Sequence, residues 1–224
     1  PTIVNNVETL AAVKYIIRDG ADAYRKYGTE KSAGTKLFSI SGNVVKPGTY
    51  EVPLGISLKD LIFDVCGGLK PGRKLKAVIP GGSSAPILTA EESLKVNMDY
   101  ESLAQSGSML GSGAVIVIDD SNDMVDLLDV TLHFYHHESC GQCTPCREGT
   151  GWISKITHSI KNGEGTTKDI DLIKNVAEHM MGKTICALSD AAAMPAISFV
   201  TKFRDEFEAY VNKGVERRGE DAHA

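Results

Sequence analysis

Three cysteines fall within seven residues in Cys140-Gly-Gln-Cys143-Thr-Pro-Cys146. Thiolates two residues apart can bend round one metal ion, which is why this spacing occurs in zinc sites. A third cysteine after a second two-residue gap offers three thiolates from one side of a loop. That geometry suits three corners of a cubic iron–sulfur cluster. A fourth ligand must then come from elsewhere, and Cys186, in Thr184-Ile-Cys-Ala-Leu188 between two expected helices, is the candidate. On spacing alone three chemistries stay open: an iron–sulfur cluster, a structural zinc ion, and metal-free redox thiols.

The neighbouring residues suit an anionic centre. Thr144 is expected to cap a helix that begins at Pro145, which puts Cys146 in the first turn. Free N–H groups and the positive end of the helix dipole favour thiolate charge there. Arg147 and Lys183 flank the two cysteine segments, and Gly141 and Gly149 let backbone come close. His133, His136 and His137 precede the run and read either as structural residues or as groups that tune the centre. Cys66, far upstream, reads as a buried apolar thiol rather than a ligand.

The elements that must carry these residues follow from the rest of the chain. Its 224 residues are 42% hydrophobic and 24% charged with a net charge of −5, the balance of a globular protein of one or two domains. No apolar run approaches the roughly 20 residues of a membrane span, and the N-terminus lacks a signal-peptide pattern. The expectation is therefore a soluble, cytosolic protein without a disulfide framework. No basic stripe is present to engage a nucleic-acid backbone. Residues 1–120 carry 13 basic and 13 acidic side chains, whereas 121–224 carry 11 and 16, and the patterning changes at the same point.

Before residue 120 the reading is a helix over Val7–Tyr27 interrupted at Gly20, then strands at Lys36–Ser41 and Thr49–Val52 joined as a hairpin. A helix capped by Ser57 runs to Gly67-Gly68, and strands follow at Leu75–Ile79 and Ala114–Ile118. This order suggests a small sheet crossed by one helix, like a ubiquitin-type β-grasp. Beyond residue 120 four amphipathic helices are expected. Ser121 caps the first, the cysteine run opens the second, the third covers about Asp169–Met181, and the last runs from Ser189 or Pro195 past Val211. The polar tail after Gly214 is expected to fray. Gly107–Gly113 precedes a strand and so fails the context of a dinucleotide fingerprint, while Pro80–Pro86 could form an anion-binding nest but reads by default as a connecting turn. No Ser/His/Asp or Cys/His catalytic set is present.

At Glu138-Ser-Cys-Gly-Gln-Cys-Thr-Pro-Cys-Arg-Glu-Gly149 the sequence closely resembles the family of NADH-binding flavoprotein subunits of respiratory complex I, with relatives in hydrogenases and formate dehydrogenases. The likeness continues through Thr184-Ile-Cys-Ala-Leu-Ser-Asp-Ala-Ala-Ala193 and Phe203-Arg-Asp-Glu-Phe207. Upstream it includes Val4-Asn-Asn-Val-Glu-Thr9 and Ser41-Gly-Asn-Val-Val-Lys-Pro-Gly-Thr-Tyr-Glu51. The resemblance implies an α+β fold: the end of a flavin-binding domain over 1–30, a β-grasp soluble-ligand-binding domain over 31–120, and an all-α four-helix bundle over 121–224. That bundle would carry one [4Fe–4S] cluster on Cys140, Cys143, Cys146 and Cys186. Asn5 and Asn6 match an asparagine pair beside the flavin mononucleotide, Thr9 a phosphate contact, and Ala187-Leu188 a segment near the flavin ring.

In that family NADH reduces the flavin by hydride transfer and the cluster takes electrons onward. Members also have a glycine-rich amino-terminal half for flavin and NADH, and this chain begins where that half ends. It is therefore expected to be inactive alone. The partners implied are other subunits of the oxidoreductase, especially the small [2Fe–2S] subunit and the large iron–sulfur subunit. The implied location is cytoplasmic, peripheral to the inner membrane through the complex. The alternatives are a hydrogenase or formate dehydrogenase diaphorase, and a non-catalytic β-grasp binding module with a structural metal site.

Overall fold

Two apolar strand runs, Ala77-Val-Ile79 and Ala114-Val-Ile-Val-Ile118, lack the polar alternation of a half-exposed sheet, and in the computed structural model both lie in a sheet covered on its two faces. Residues 1–221 are described. The chain opens with helices α1 (Val7–Asp19) and α2 (Ala21–Tyr24), then strands β1 (Thr35–Gly42) and β2 (Gly48–Pro53). Helix α3 (Leu58–Asp60) continues as a π-helical turn over Leu61–Val65. Strands β3 (Leu75–Ile79) and β4 (Leu88–Thr89), helices α4 (Ala90–Ser93) and α5 (Tyr100–Gln105), and strand β5 (Ala114–Asp119) complete this part. Five helices follow: α6 (Met124–Glu138), α7 (Thr144–Lys161), α8 (Thr167–Met180), α9 (Leu188–Lys202) and α10 (Arg204–Asp221).

The sheet runs β2-β1-β5-β3-β4, with β1 and β5 parallel at its centre and the other pairs antiparallel. One face places Phe38, Ile40, Val78, Val115 and Val117 against Leu58, Leu61 and Ile62 of the crossing helix. The opposite face presents Ala77, Ile79 and Ile118 to the later helices, so one hydrophobic core runs from the sheet through Leu128, Ile153, Ile173 and Phe199. Among these helices α6 packs on α7 and α9, α8 packs on α7 and α9, and α10 lies across them. The glycine-rich segments connect, as read: Gly81 and Gly111 pass backbone to backbone, and a Cβ on Gly111 would fall 2.1 Å from the Gly81 carbonyl oxygen.

Several expectations need correction. The last helix is two, because the backbone leaves helical geometry at Phe203, with φ −122° and ψ 29°. Ser121 does not cap α6. Its hydroxyl donates to Asp119, and Asp123 caps instead by accepting from the N–H groups of Val125 and Asp126. The chain after Gly214 does not fray at once but stays helical to Asp221, and 222–224 lie outside the described residues. Short elements β4, α4 and α5 have no counterpart in the sequence pattern because two to six residues carry no periodicity.

No helix among the described residues is long and apolar enough to cross a membrane.

Candidate iron–sulfur centre

Helix α7 begins one residue earlier than its sequence suggests. Cys143, not Thr144, is the N-cap, in extended geometry at φ −89° and ψ 125°, with Thr144 and Pro145 opening the helix. No side chain caps this end. The positive helix terminus is therefore formed by Cys143-Thr-Pro-Cys146 itself, with the first intrahelical bond running from Arg147 N–H to Cys143 C=O at 2.8 Å. Cys146 is buried, Cys143 half-buried and Cys140 exposed, and none of them forms a disulfide.

The second cysteine segment is the loop between α8 and α9. Gly182 turns it in the left-handed region at φ 68°. Its N–H donates to the Asp190 carboxylate at 2.7 Å, and Ser189 Oγ donates to Met180 C=O at 3.2 Å, so two residues of α9 fasten both ends of the turn. Thr184 Oγ1 donates to Cys186 C=O at 2.8 Å. The backbone N–H of Ile185 then donates to Cys143 Sγ at 3.5 Å, a contact spanning 42 residues that brings the Cys186 loop onto the first cysteine segment.

The surroundings brace this corner more than they charge it. Arg147 donates to Gly141 C=O at 2.8 Å and pairs with Glu148, so its guanidinium holds the cysteine loop in shape. Gly149 lies under Met180, whose side chain a Cβ would meet at 2.6 Å, so the glycine permits close packing of α7 on α8. Of the three histidines, His136 stands nearest in hydrogen-bond terms: its ring meets Thr150 Oγ1 at 3.4 Å, and Thr150 donates to Cys146 C=O at 2.7 Å. His137 pairs with Glu138. Cys66 is fully buried in the other core, and burial pushes its thiol up.

Among the described residues no three His, Cys, Asp or Glu side chains are gathered closely enough to hold one metal ion. A single zinc draws its thiolates to about 2.3 Å from one centre, whereas a four-iron cluster holds one cysteine at each of four separate corners. An uncapped helix start, an amide donor at Cys143 Sγ, a hydroxyl beside Cys146 Sγ, and four unbridged cysteines in two touching loops suit the needs of a polyanionic cluster. The residues present fit that group.

The remaining site candidates sit elsewhere. Asn6 caps α1, its side chain accepting from Glu8 and Thr9 N–H groups, while Asn5 accepts from Asn6 N–H. No residue of α1 is buried. Glu8, within the Val4–Thr9 stretch but given no role from the sequence, ties the helix to the sheet: its carboxylate accepts from Lys36 Nζ at 2.7 Å and from Leu37 N–H at 3.3 Å. Ala187 caps α9 and Leu188 begins it. No hydrogen bond among the described residues joins Asn5, Asn6 or Thr9 to Ala187 or Leu188.

Residues 126–210 match the family model described as the NADH-ubiquinone oxidoreductase-F iron-sulfur binding region, and 36–118 match the SLBB domain. An NADH-quinone oxidoreductase F subunit of Rhizobium meliloti, the one numbered 2, is 50% identical over 213 residues, covering 95% of this chain and 50% of that protein. The corresponding F subunit of Streptomyces coelicolor is 46% identical over 211 residues, covering 94% of this chain and 46% of its own length. A chain in the crystal structure of the NAD+-reducing [NiFe]-hydrogenase in the air-oxidised state superposes with a TM-score of 0.82 at 37% identity, over 94% of this chain and 36% of that one. Over nearly its whole length the chain is thus similar to NADH-quinone oxidoreductase F subunits, and it spans about half the length of the curated relatives it matches.

Proposed function

We propose that Cys140, Cys143, Cys146 and Cys186 together hold one [4Fe–4S] cluster, and that the chain is the electron-transfer portion of an NADH:quinone oxidoreductase flavoprotein subunit. The observation that supports this reading is the Ile185 N–H to Cys143 Sγ contact, which joins the loop that carries Cys186 to the first cysteine segment. When bound, such a cluster accepts and releases one electron at a time. The chain's own work is to hold it. The start of α7 offsets the negative charge, Arg147 fixes the cysteine loop, and Asp190 with Ser189 fixes the loop of Cys186.

Helices α6 to α9 make the four-helix bundle that supports the cluster, with the β-grasp sheet seated against it. Asn5, Asn6, Thr9, Ala187 and Leu188 face a flavin mononucleotide that the longer protein holds and NADH reduces. The partners are the small [2Fe–2S] and large iron–sulfur subunits of a cytoplasmic arm peripheral to the inner membrane. A diaphorase subunit of a hydrogenase is the second reading, supported by the TM-score of 0.83 to the NAD+-reducing [NiFe]-hydrogenase in its H2-reduced state.

Reductive titration of the anaerobically loaded chain tests the assignment. One electron per chain should be taken up with a paramagnetic signal, and Cys186→Ala should abolish it while the helices remain. A loaded chain that takes up no electron, or a Cys186→Ala protein that keeps the full signal, would overturn it.

A further inference from the structure

Two protein groups donate to, or stand ready to donate to, sulfur at this corner: the Ile185 N–H at Cys143, and the Ser139 hydroxyl 3.3 Å from Cys146 Sγ. Between a hydroxyl and a neutral thiol either atom can donate. A metal-bound sulfur is a thiolate and can only accept, so the Ser139 proton must point at Cys146 once that cysteine is a ligand. The hydroxyl is already placed for this. Ser139 ends α6 in extended backbone, its Oγ accepts the Gly141 N–H at 3.4 Å, and it lies half-buried beside a buried cysteine.

We propose that Ser139, by donating its hydroxyl hydrogen bond to Cys146 Sγ, raises the reduction potential of the cluster. One-electron reduction adds one negative charge shared among iron, sulfide and thiolate, with no proton transferred and no bond broken. A donor at a ligand sulfur is attracted more strongly to the reduced state than to the oxidised one, so it favours the electron's arrival. The effect is largest where water does not compete, and Cys146 is the buried member of the set. Ser139 touches no electron donor or acceptor; it is a positioning residue that acts through its neighbour's sulfur. Ser139 stands in the Glu138–Gly149 stretch, but no periodicity or spacing signals a role for its hydroxyl.

This inference rests on the cluster assignment, and potentiometric titration of the anaerobically reconstituted chain, read by electron paramagnetic resonance, separates the two. With iron content equal to wild type, Ser139→Ala should shift the oxidised-to-reduced ratio at fixed potential about tenfold toward oxidised, about 59 mV for one electron. Ser139→Thr, which keeps the hydroxyl, should restore the wild-type value. Equal potentials in Ser139→Ala and wild type would overturn the tuning role, as would a folded Ser139→Ala chain that takes up no cluster. Should Ser139→Ala not fold, Ser139→Val against Ser139→Thr makes the same test with a matched pair of shapes. A wild-type chain that binds neither iron nor sulfide would instead fail the assignment beneath it.

Discussion

At the junction of the sheet with the helices, the chain supplies every partner itself. The Ile87 N–H donates to Ser198 Oγ, Ser83 and Tyr135 share a hydrogen bond, and Lys76 donates to both Asn122 C=O and Glu206. Lys202 reaches Glu92 at 2.7 Å, and the apolar core is continuous from Ala77 to Phe207. The cysteine corner is built differently. Cys140 and Cys186 are exposed, the start of α7 has no side-chain cap, and the two loops meet through one N–H to sulfur bond. The contrast is between a scaffold packed through its own side chains and a corner whose cysteines and helix start suit the cluster proposed above.

Substitutions at the junction should therefore cost stability, and substitutions at the corner should cost the cofactor. Phe199 is fully buried in the shared core, and Phe199→Ala should destabilise the chain by about 3–5 kcal/mol in urea denaturation. Lys76→Met should cost about 1–2 kcal/mol, since it leaves Glu206 with the Met124 N–H as its remaining partner at the junction.

Much of this arrangement can be read from residues in order. The alternation around Phe38 and Ile40, the Ser57 cap, and the helical stripes of α7 and α8 are local signals, and each appears where the spacing puts it. The cysteine spacing likewise singles out the first loop, and Cys186 enters only as the candidate between two expected helices. What is not legible is set by tertiary contact. The sheet shares its core with the helices because Ala77, Ile79 and Ile118 face away from the crossing helix, and no period in the sequence states which face meets which partner. Glu8 with Lys36, Asp190 with Gly182, and Ser139 with Cys146 are pairs that no sequence period joins, and only the fold brings them together.

Smaller effects sharpen the same contrast. The Lys36 side chain is only 9% exposed and holds α1 through Glu8. Lys36→Met should release that helix, so that amide hydrogen exchange of Val7–Asp19 quickens while β1 stays protected. The Glu92 carboxyl is pushed up by burial, but hydrogen bonds from Lys202 and Thr89 together with the Lys202 charge outweigh this and hold it below its ordinary value of 4.5. A depressed folded value stabilises the fold fully above the unfolded one, so this contribution should be complete above about pH 4.5 and vanish as pH falls through the lower folded value. Lys202→Met should weaken that acid dependence, worth on the order of 1 kcal/mol or less after solvent screening, as read from denaturation midpoints across pH. Smallest on stability is Cys186→Ala: at an exposed position it should leave the metal-free chain within about 0.5 kcal/mol of wild type.

The central claim, that four cysteines in two touching loops hold one cubic cluster, is tested most directly by quantifying iron, acid-labile sulfide and zinc on the chain after anaerobic preparation. About four iron and four sulfide per chain and no stoichiometric zinc are expected. One zinc per chain with no sulfide would contradict it.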